Sequence, residues 1–297
     1  MNKLLSDKKA IWVFMLPSLI MVVGMMYIPI GWTLGYSLFD GFPGFGSSFV
    51  GFANFIDLWT DQVFNQSFVT TLVYTLIQVS GQVGLGLLLA LLLKLGVKRH
   101  KDLMKTIVFF PSVIPAIAVA QLFIKIYEIR PQYGLLNSFL ALIGRADLVR
   151  GWLGETSTAL ICLCVADIWR FMGFYAVLFY AAIVEIPQDI IEVARIDGVN
   201  TRQLIVHILL PLIFPVIITA LSYCFIGTIK VFEMPYVMTN GGPGYATTLL
   251  SLYIYSTAFT YSRYGLGCAM AVTLLIETIL ITMLIRSIPK LVKRWDS

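Results

Sequence analysis

Three ionisable side chains lie within long apolar runs of the sequence. Asp167 and Arg170 are three residues apart in one run, and Glu277 lies in another. Positions i and i+3 share one face of a helix. At the centre of a bilayer each charge would cost roughly 2.5–3.5 kcal/mol or more unless it faced protein or water. The Asp167–Arg170 pair is therefore either part of a polar path through a membrane or a lock between helices, and both interpretations stay open.

Motifs for nucleotide hydrolysis and for metal-assisted or nucleophilic catalysis are absent from the sequence. It contains no GxxxxGK[ST] phosphate-binding loop, no HExxH and no GxSxG. The four cysteines all fall within or at the ends of apolar runs, which indicates buried free thiols rather than disulfides or zinc ligands: Cys162, Cys164, Cys224 and Cys268. We therefore expect no metal site and no cofactor in this chain, and no enzymatic activity of its own.

The composition is that of a polytopic membrane protein. Of the 297 residues, 59% are hydrophobic and only 12% are charged, and the mean hydropathy is +0.86. Soluble domains are nearer one quarter charged. The net charge of +5 requires no nucleic-acid partner, because positive residues at the cytoplasmic membrane face account for it.

Apolar runs of about 20 residues or more predict six membrane-spanning helices in an all-α bundle. They cover about residues 11–37, 67–93, 104–127, 159–184, 206–229 and 266–285. Pro111 and Pro115 should kink the third, and Gly81, Gly84 and Gly86 should allow close helix approach in the second. Residues 40–65 are predicted to form a loop rich in Gly and Phe. We expect residues 1–297 to form a single transmembrane domain.

The distribution of lysine and arginine predicts the orientation. Six spans put both termini on one side, together with the segments at 94–105 and 185–205. That side carries fourteen Lys and Arg residues, whereas the opposite side carries six over longer loops. Cytoplasmic loops carry the excess of positive charge. The termini and the 185–205 segment are therefore predicted to be cytoplasmic.

The segment 185–205 has the helix start and stop signals of a helix–turn–helix. Pro187 is favourable at the first position of a helix, and Gly198 is favourable just after the end of one. Asn200 and Gln203 have the spacing of a capping box. Between them, Gln188 to Ile196 is predicted to be a short amphipathic helix. Its apolar side is assigned to Ile190, Ile191, Ala194 and Ile196, and its charged side to Glu192, Arg195 and Asp197.

This segment resembles the EAA loop of ABC importer permeases, whose pattern is EAA-x3-G-x9-I-x-LP. The matching residues are Glu192, Ala194, Gly198, Ile208, Leu210 and Pro211, and Val193 departs by standing where Ala is usual. The resemblance implies a coupling helix that docks on an ATPase subunit through Glu192, Ala194, Arg195, Asp197 and Gly198. Without the resemblance, an amphipathic connector on the bilayer surface would explain the segment equally well.

Two further stretches narrow the resemblance to carbohydrate uptake type 1 permeases of the maltose-transporter first-permease subclass. Trp169 to Phe174 is similar to the W-[KR]-x-x-G-[FY] stretch of that family. Thr239 to Pro243, followed by Thr247, Tyr253, Tyr255, Ala258 and Phe259, is similar to its TxGGP…YxY…AF signature.

The resemblance implies a type I importer fold in a bacterial or archaeal inner membrane. The implied partners are a second sugar permease, two subunits that bind ATP and Mg²⁺, an extracytoplasmic solute-binding protein and membrane lipid. Glycerol phosphate or another small polar solute remains an alternative to a sugar. An ion-coupled secondary transporter is a third possibility, because such proteins also use broken helices and buried charge.

A sugar path combines polar groups with aromatic rings in a water-filled cavity. The candidates are Asp167, Trp169, Arg170, Tyr223, Lys230, Glu233, Asn240 and Glu277. The aromatic residues among them would serve equally well as packing within the bundle.

The predicted orientation can be tested with single cysteines. A cysteine at Asn200 should react with an impermeant thiol reagent only after cells are opened, because the 185–205 segment is predicted to be cytoplasmic. A cysteine at Gly242 should react in intact cells unless a docked protein covers it. Labelling at Asn200 from outside would contradict the orientation.

Overall fold

The computed structural model describes residues 8–97, 99–130 and 132–295. Lys3 and Lys98, which are counted in the charge argument, lie outside these residues. Met1 and Ser297, the termini that it places, do so too. Within the described chain, five helices are long and apolar enough to cross a membrane: Ile11–Tyr36, Gln62–Gly96, Ala159–Val184, Thr201–Ile229 and Tyr264–Ser287. A pair of helices, Lys101–Val113 and Ala116–Tyr127, is bent by 95° at a short break, and counting this pair as one broken span gives a sixth. The expected bundle of membrane helices is therefore confirmed.

The first of two compact units consists of the described residues up to Asn65 together with Tyr253–Ile276. Its first span comprises α1 (Lys8–Val22), a π-helical turn (Val23–Tyr27) and α2 (Ile28–Tyr36). An antiparallel hairpin of β1 (Phe39–Phe42) and β2 (Phe45–Phe49) follows, and then α3 (Ala53–Thr60).

The hairpin and α3 correct the prediction of a loop over residues 40–65, and the hairpin is an exception to an all-α chain. The physical reason lies in the Phe residues, which pair across the ribbon and onto a later helix. The rings of Phe39 and Phe49 meet edge to face at 5.4 Å, and those of Phe42 and Tyr264 at 4.9 Å. Such aromatic pairs stabilise a two-stranded ribbon that would be marginal alone.

Two polar side chains fix the ends of helices in this unit. The buried Asn54 amide donates to the carbonyls of Ser37 and Phe39, both at 2.9 Å, just beyond the end of α2, where helix carbonyls lack partners. The Tyr253 hydroxyl donates to Asp61 at 2.6 Å, and Asp61 in turn accepts the backbone N–H of Val63 at 2.8 Å. Burial, and then the Asp61 carboxylate, raise the pKa of Tyr253, so its hydroxyl stays protonated as a donor.

The second unit comprises Gln66–Leu252 and the described residues from Glu277 onward. Along the chain, the helices from the second span onward are α4 (Gln62–Leu91), α5 (Lys101–Val113), α6 (Ala116–Tyr127), α7 (Leu135–Leu142), α8 (Ala159–Val184), α9 (Gln188–Ile196), α10 (Thr201–Gln203), α11 (Leu210–Ile229), α12 (Glu233–Met238), α13 (Leu250–Tyr255) and α14 (Tyr264–Trp295). Helices α4, α13 and α14 contribute residues to both units. Short π-helical turns occupy Leu92–Gly96, Leu204–Leu209 and Ser256–Thr260, and a 3₁₀ turn Ala146–Leu148.

The third span is broken rather than merely kinked. Ile114 between α5 and α6 is extended, with φ −70° and ψ 132°, and Pro115 precedes the first residue of α6. A residue before proline is disfavoured in the helical region, and proline has no N–H to continue the hydrogen-bond ladder. This explains the 95° bend where the sequence predicted a kink.

Helix α8 is the centre of the second unit because glycines let its neighbours approach it closely. A Cβ on Gly173 of α8 would collide with the backbone carbonyl of Val108 on α5. Gly81 and Gly86 of α4 meet the side chains of Ile168 and Tyr175 in the same way, whereas Gly84 has open space around it. The sequence therefore predicted close approach correctly at two of these three glycines of α4.

Replacing Gly173 by Ala should destabilise the second unit. The added methyl group has no room beside Val108, and overpacking of this kind costs about 1–3 kcal/mol. We expect a lower melting temperature of the purified chain in detergent. Gly84→Ala is the matched control, since a Cβ there meets no atom within 4 Å. Equal melting temperatures for the two variants would contradict the close contact.

Candidate functional site

A cavity of about 380 Å³ opens within the second unit. Its walls come from α4, α8 and α11, from the first residue of α6 and from the segment after α11. The lining residues are Gln82, Ala116, Asp167, Arg170, Phe171, Tyr175, Tyr223, Cys224, Ile226, Gly227, Thr228, Lys230, Val231 and Glu233. It thus combines charged groups, an amide and aromatic rings, which is the mixture expected of a site for a polar solute.

Asp167 is both a lock and part of the cavity wall. Its side chain is 1% exposed, and its Oδ2 accepts a hydrogen bond of 3.0 Å from the buried hydroxyl of Tyr74 on α4. That bond joins α4 to α8. Its Oδ1 lies 3.8 Å from a guanidinium nitrogen of Arg170 and has no hydrogen-bond partner among the described residues. The two interpretations left open by the sequence are therefore compatible.

Arg170 lines the cavity, where its guanidinium group is positioned by a neighbouring aromatic ring. Its guanidinium lies 4.5 Å from the ring centroid of Phe171, a cation–π arrangement. Its Nε is buried and has no hydrogen-bond partner within the described part of the chain. Buried polar atoms of native proteins are nearly always satisfied by protein or water. Asp167 Oδ1 and Arg170 Nε are therefore a buried acceptor and a buried donor without partners in the wall of the cavity.

A row of buried polar side chains on α4 supports this wall. These residues were not predicted from the sequence. The Gln78 amide donates to the carbonyl of Cys164 at 3.3 Å and accepts from the Gln82 amide at 2.8 Å. The thiol of Cys224 donates to Gln82 at 3.4 Å. Tyr74, Gln78 and Gln82 are spaced four residues apart, so they share one helix face. Their period within an apolar run was the signal that could have identified them.

The cavity brings together five of the eight residues that the sequence proposed for a path: Asp167, Arg170, Tyr223, Lys230 and Glu233. Tyr223 is 62% exposed, and its ring lies 5.8 Å from that of Phe174. Trp169 is not among the lining residues. It is half-buried, packs against a buried cluster, and meets the ring of Phe123 at 5.6 Å. Its position is that of bundle packing.

Asn240 lies in a self-contained loop outside the cavity wall. The Thr239 and Thr247 hydroxyls are 2.6 Å apart, and Thr247 donates to the carbonyl of Gly242 at 2.7 Å. Gly241 has φ +83°, and a Cβ there would crowd the hydroxyl of Thr248. The Gly-Gly-Pro stretch is thus held by hydrogen bonds within its own turn.

Glu277 also lies outside the cavity wall. Both of its carboxylate oxygens are buried and lack hydrogen-bond partners among the described residues. Among these residues, no group of three or more His, Cys, Asp or Glu side chains is arranged to hold a metal ion.

The helix–turn–helix at 185–205 forms as its helix start and stop residues predict. Helix α9 starts after Pro187 and ends at Ile196, and Gly198 follows in the left-handed region at φ +78°. The N–H of Val199 donates to the carbonyl of Ala194 at 3.0 Å, which closes the C-terminal turn. The capping box also forms, because the backbone N–H and the side chains of Asn200 and Gln203 bond reciprocally at 2.9 and 3.0 Å.

Helix α9 presents a mixed apolar and charged face outward. Ile191 and Ala194 are buried against the bundle at 5% and 6% exposure. Val193 and Ile196, by contrast, are 57% and 84% exposed. Ile196, which the sequence assigned to the apolar side with Ile191 and Ala194, therefore does not pack with them against the bundle, because the helix ends at this residue. The charged residues of α9 and its turn are also exposed, namely Glu192, Arg195 and Asp197.

The departure from the EAA pattern at Val193 lies on this outward face. It therefore removes no close contact within the chain. The Ala of the pattern that packs against the bundle is Ala194, and that residue is retained.

A bundle of membrane helices with a polar cavity and a solvent-exposed helix–turn–helix is the architecture of a membrane-spanning transport subunit. Residues 82–295 match the family model described as "Binding-protein-dependent transport system inner membrane component". The chain belongs to this family.

Its relatives cover nearly the whole chain. It is 35% identical to the probable ABC transporter permease protein YurN of Bacillus subtilis, over 92% of this chain and 93% of that protein. It is 32% identical to the trehalose/maltose transport system permease protein MalF of Thermococcus litoralis, over 90% of this chain and 88% of that protein. It is also 32% identical to the lactose transport system permease protein LacF of Rhizobium radiobacter, over 84% and 83% of the two chains.

Solved structures share the fold. A chain of a bacterial ABC transporter that imports the acidic polysaccharide alginate superposes with a TM-score of 0.83, at 24% identity and with 94% of each chain covered. The type I importer permease fold expected from the sequence is thereby confirmed.

Proposed function

We propose that this chain is the permease subunit of an ATP-driven, binding-protein-dependent importer for a sugar or oligosaccharide. The observation that carries this proposal is the cavity at Asp167, Arg170 and Tyr223. It offers an acceptor, a donor and an exposed ring, which complement the hydroxyls and the C–H faces of a sugar. Its volume of about 380 Å³ is within the range of small-molecule sites, roughly 300–1,000 Å³.

Several relatives support a sugar as the solute. The related permeases named above belong to systems for lactose and for trehalose/maltose. Glycerol phosphate or another small polar solute is the second candidate, because Arg170 and Lys230 both bring positive charge to the cavity. Membership of a binding-protein-dependent family leaves an ion-coupled secondary transporter without support.

The partners follow from the same proposal. This chain pairs with a second sugar permease, and two separate subunits bind ATP and Mg²⁺ and hydrolyse the nucleotide, so the chain needs no cofactor itself. An extracytoplasmic solute-binding protein delivers the sugar, as the alginate transporter suggests, whose structure includes a periplasmic protein loaded with an alginate pentasaccharide. The chain lies in a bacterial or archaeal inner membrane with both termini cytoplasmic.

Helix α9 is proposed to transmit the motion of the ATPase. Its outward residues Glu192, Val193, Arg195 and Ile196 form the docking face, with Asp197 and Gly198 in the turn beyond them. Ala194 and Ile191 hold the inner face against the bundle. Because α9 is joined to α8 at one end and through α10 to α11 at the other, a displacement of α9 is passed to these two helices of the cavity wall.

Alanine substitutions at Tyr223 and Trp169 should separate solute contact from packing. Tyr223→Ala should assemble normally and lower the transport rate about two- to tenfold or alter sugar selectivity, since one aromatic contact contributes ~0.5–1.5 kcal/mol. Trp169→Ala should instead lower the melting temperature, because truncating a packed Trp costs about 3–5 kcal/mol. Uptake of every tested sugar at the parental rate by a normally assembled Tyr223→Ala complex would place Tyr223 outside the path.

The docking face can be tested with a charge at Ile196. Ile196→Asp should lower retention of the ATP-binding subunits about tenfold, as expected when a contact residue worth more than ~1 kcal/mol is lost. The control is Leu142→Asp, because Leu142 is equally exposed at 84% and lies on the opposite side of the predicted topology. Normal ATPase retention and uptake by Ile196→Asp would rule out this face.

A further inference from the structure

The short helix α3 of the first unit exposes an apolar stripe. Phe52, which directly precedes α3, and Ile56 and Trp59 within it are 71%, 66% and 62% exposed. They are spaced four and three residues apart, so their side chains share one face of the helix. Exposed apolar patches mark contacts with another protein or with a membrane. We refer to these three residues as the α3 stripe.

The other sides of α3 have a different character. Asn54 and Leu58 are 4% and 1% exposed, and they form the side that packs within the unit. Asp57 and Thr60 are exposed and polar. Asp57 directly follows Ile56, so the helix turns it about 100° away from the stripe. Helix α3 therefore has a packed side, a polar side and an exposed apolar side.

Hydrogen bonds hold α3 at the end of the first span. The Asn54 amide donates to the carbonyls of Ser37 and Phe39, both at 2.9 Å. These two residues end the uncharged run that begins at Ala10. They therefore mark the level at which the first span leaves the apolar interior of the membrane.

The other end of α3 is tied to the second span. A single residue separates α3 from α4. The Asn65 amide on the first turn of α4 donates to the carbonyl of Trp59 at 3.0 Å, and the ring of Trp59 meets that of Phe64 edge to face at 6.1 Å. Because both ends of α3 are fixed to the ends of membrane spans, the helix lies at the level of the membrane surface.

The side chains of the α3 stripe match that level. Tryptophan is enriched where membrane meets water, because its ring is apolar and its N–H can reach polar groups. The stripe carries no charged side chain, so the boundary between headgroups and acyl chains can cover it without leaving a charge unpaired. Lipid already occupies this level, and a soluble protein would have to displace it to reach the stripe.

We propose that α3 is an interfacial helix whose stripe is buried at the boundary between phospholipid headgroups and acyl chains. The predicted orientation places it in the outer leaflet. There it anchors the outer ends of the first two spans to the membrane surface. The inference goes beyond the proposed function, because it depends neither on the solute nor on the docking role of α9.

Photo-crosslinking tests which partner covers the stripe. The transporter is placed in nanodiscs of phosphatidylethanolamine and phosphatidylglycerol, with the solute-binding protein added. Benzoylphenylalanine at Ile56 should give phospholipid adducts detectable by mass spectrometry. At the exposed neighbour Asp57, the yield should be several-fold lower, because that side chain lies on the polar side of α3. A crosslink from Ile56 to another protein, no lipid adduct there, or equal adduct yields at both positions would overturn the proposal.

Fluorescence quenching tests the depth of Trp59. The difference in emission between the wild-type chain and Trp59→Phe reports this residue alone, and the phenyl ring keeps the contact with Phe64. We expect phospholipid brominated near the headgroup to quench this difference about twofold more than phospholipid brominated near the end of the acyl chain, because an interfacial ring lies closer to the shallow bromines. Quenching that is absent, equal for the two lipids or stronger for the deeper bromines would contradict an interfacial position.

Discussion

The hydrogen bond from Tyr74 to Asp167 is the contact on which the wall of the polar cavity depends. It joins the second span to the fourth at a depth where an unpaired carboxylate would be costly. Because Asp167 uses only one oxygen in this bond, the other remains available beside Arg170. The same residue thus holds the wall together and provides part of its polarity. A purely apolar contact between α4 and α8 could close the bundle but would remove this carboxylate from the cavity wall.

The sequence predicted the helices more reliably than the positions of individual side chains. Hydropathy was sufficient for the spans because the bilayer demands long apolar runs. The helix start and stop residues were sufficient to predict α9, since Pro187, Gly198 and Asn200 each specify a local backbone geometry. The hairpin after the first span was missed because it depends on contacts between rings that are distant in the sequence, such as Phe42 and Tyr264. No local period records such a pairing.

The site was predicted in part. Asp167, Arg170, Tyr223, Lys230 and Glu233 converge because α8 and α11 are adjacent, and that adjacency follows from the short connection through α9. Trp169 was proposed as a path candidate on chemistry alone, and it is not among the lining residues of the cavity. It precedes Arg170 by one residue, so a helix turns the two side chains about 100° apart, and the ring of Trp169 packs against Phe123. The row of buried polar side chains on α4 shows the converse, since its spacing was visible in the sequence and only its meaning required the structure.

The outward face of α9 has a consequence for how such chains diverge. Val193 and Ile196 contribute little to the packing of their own chain, so exchanging them leaves the free energy of folding almost unchanged. Ala194 and Ile191, one step around the same helix, do not have this freedom. Selection on the outward residues is therefore decoupled from selection on the fold. Under the proposed docking role of α9, a lineage can change the partner of this helix through a few substitutions, without first acquiring stabilising mutations elsewhere.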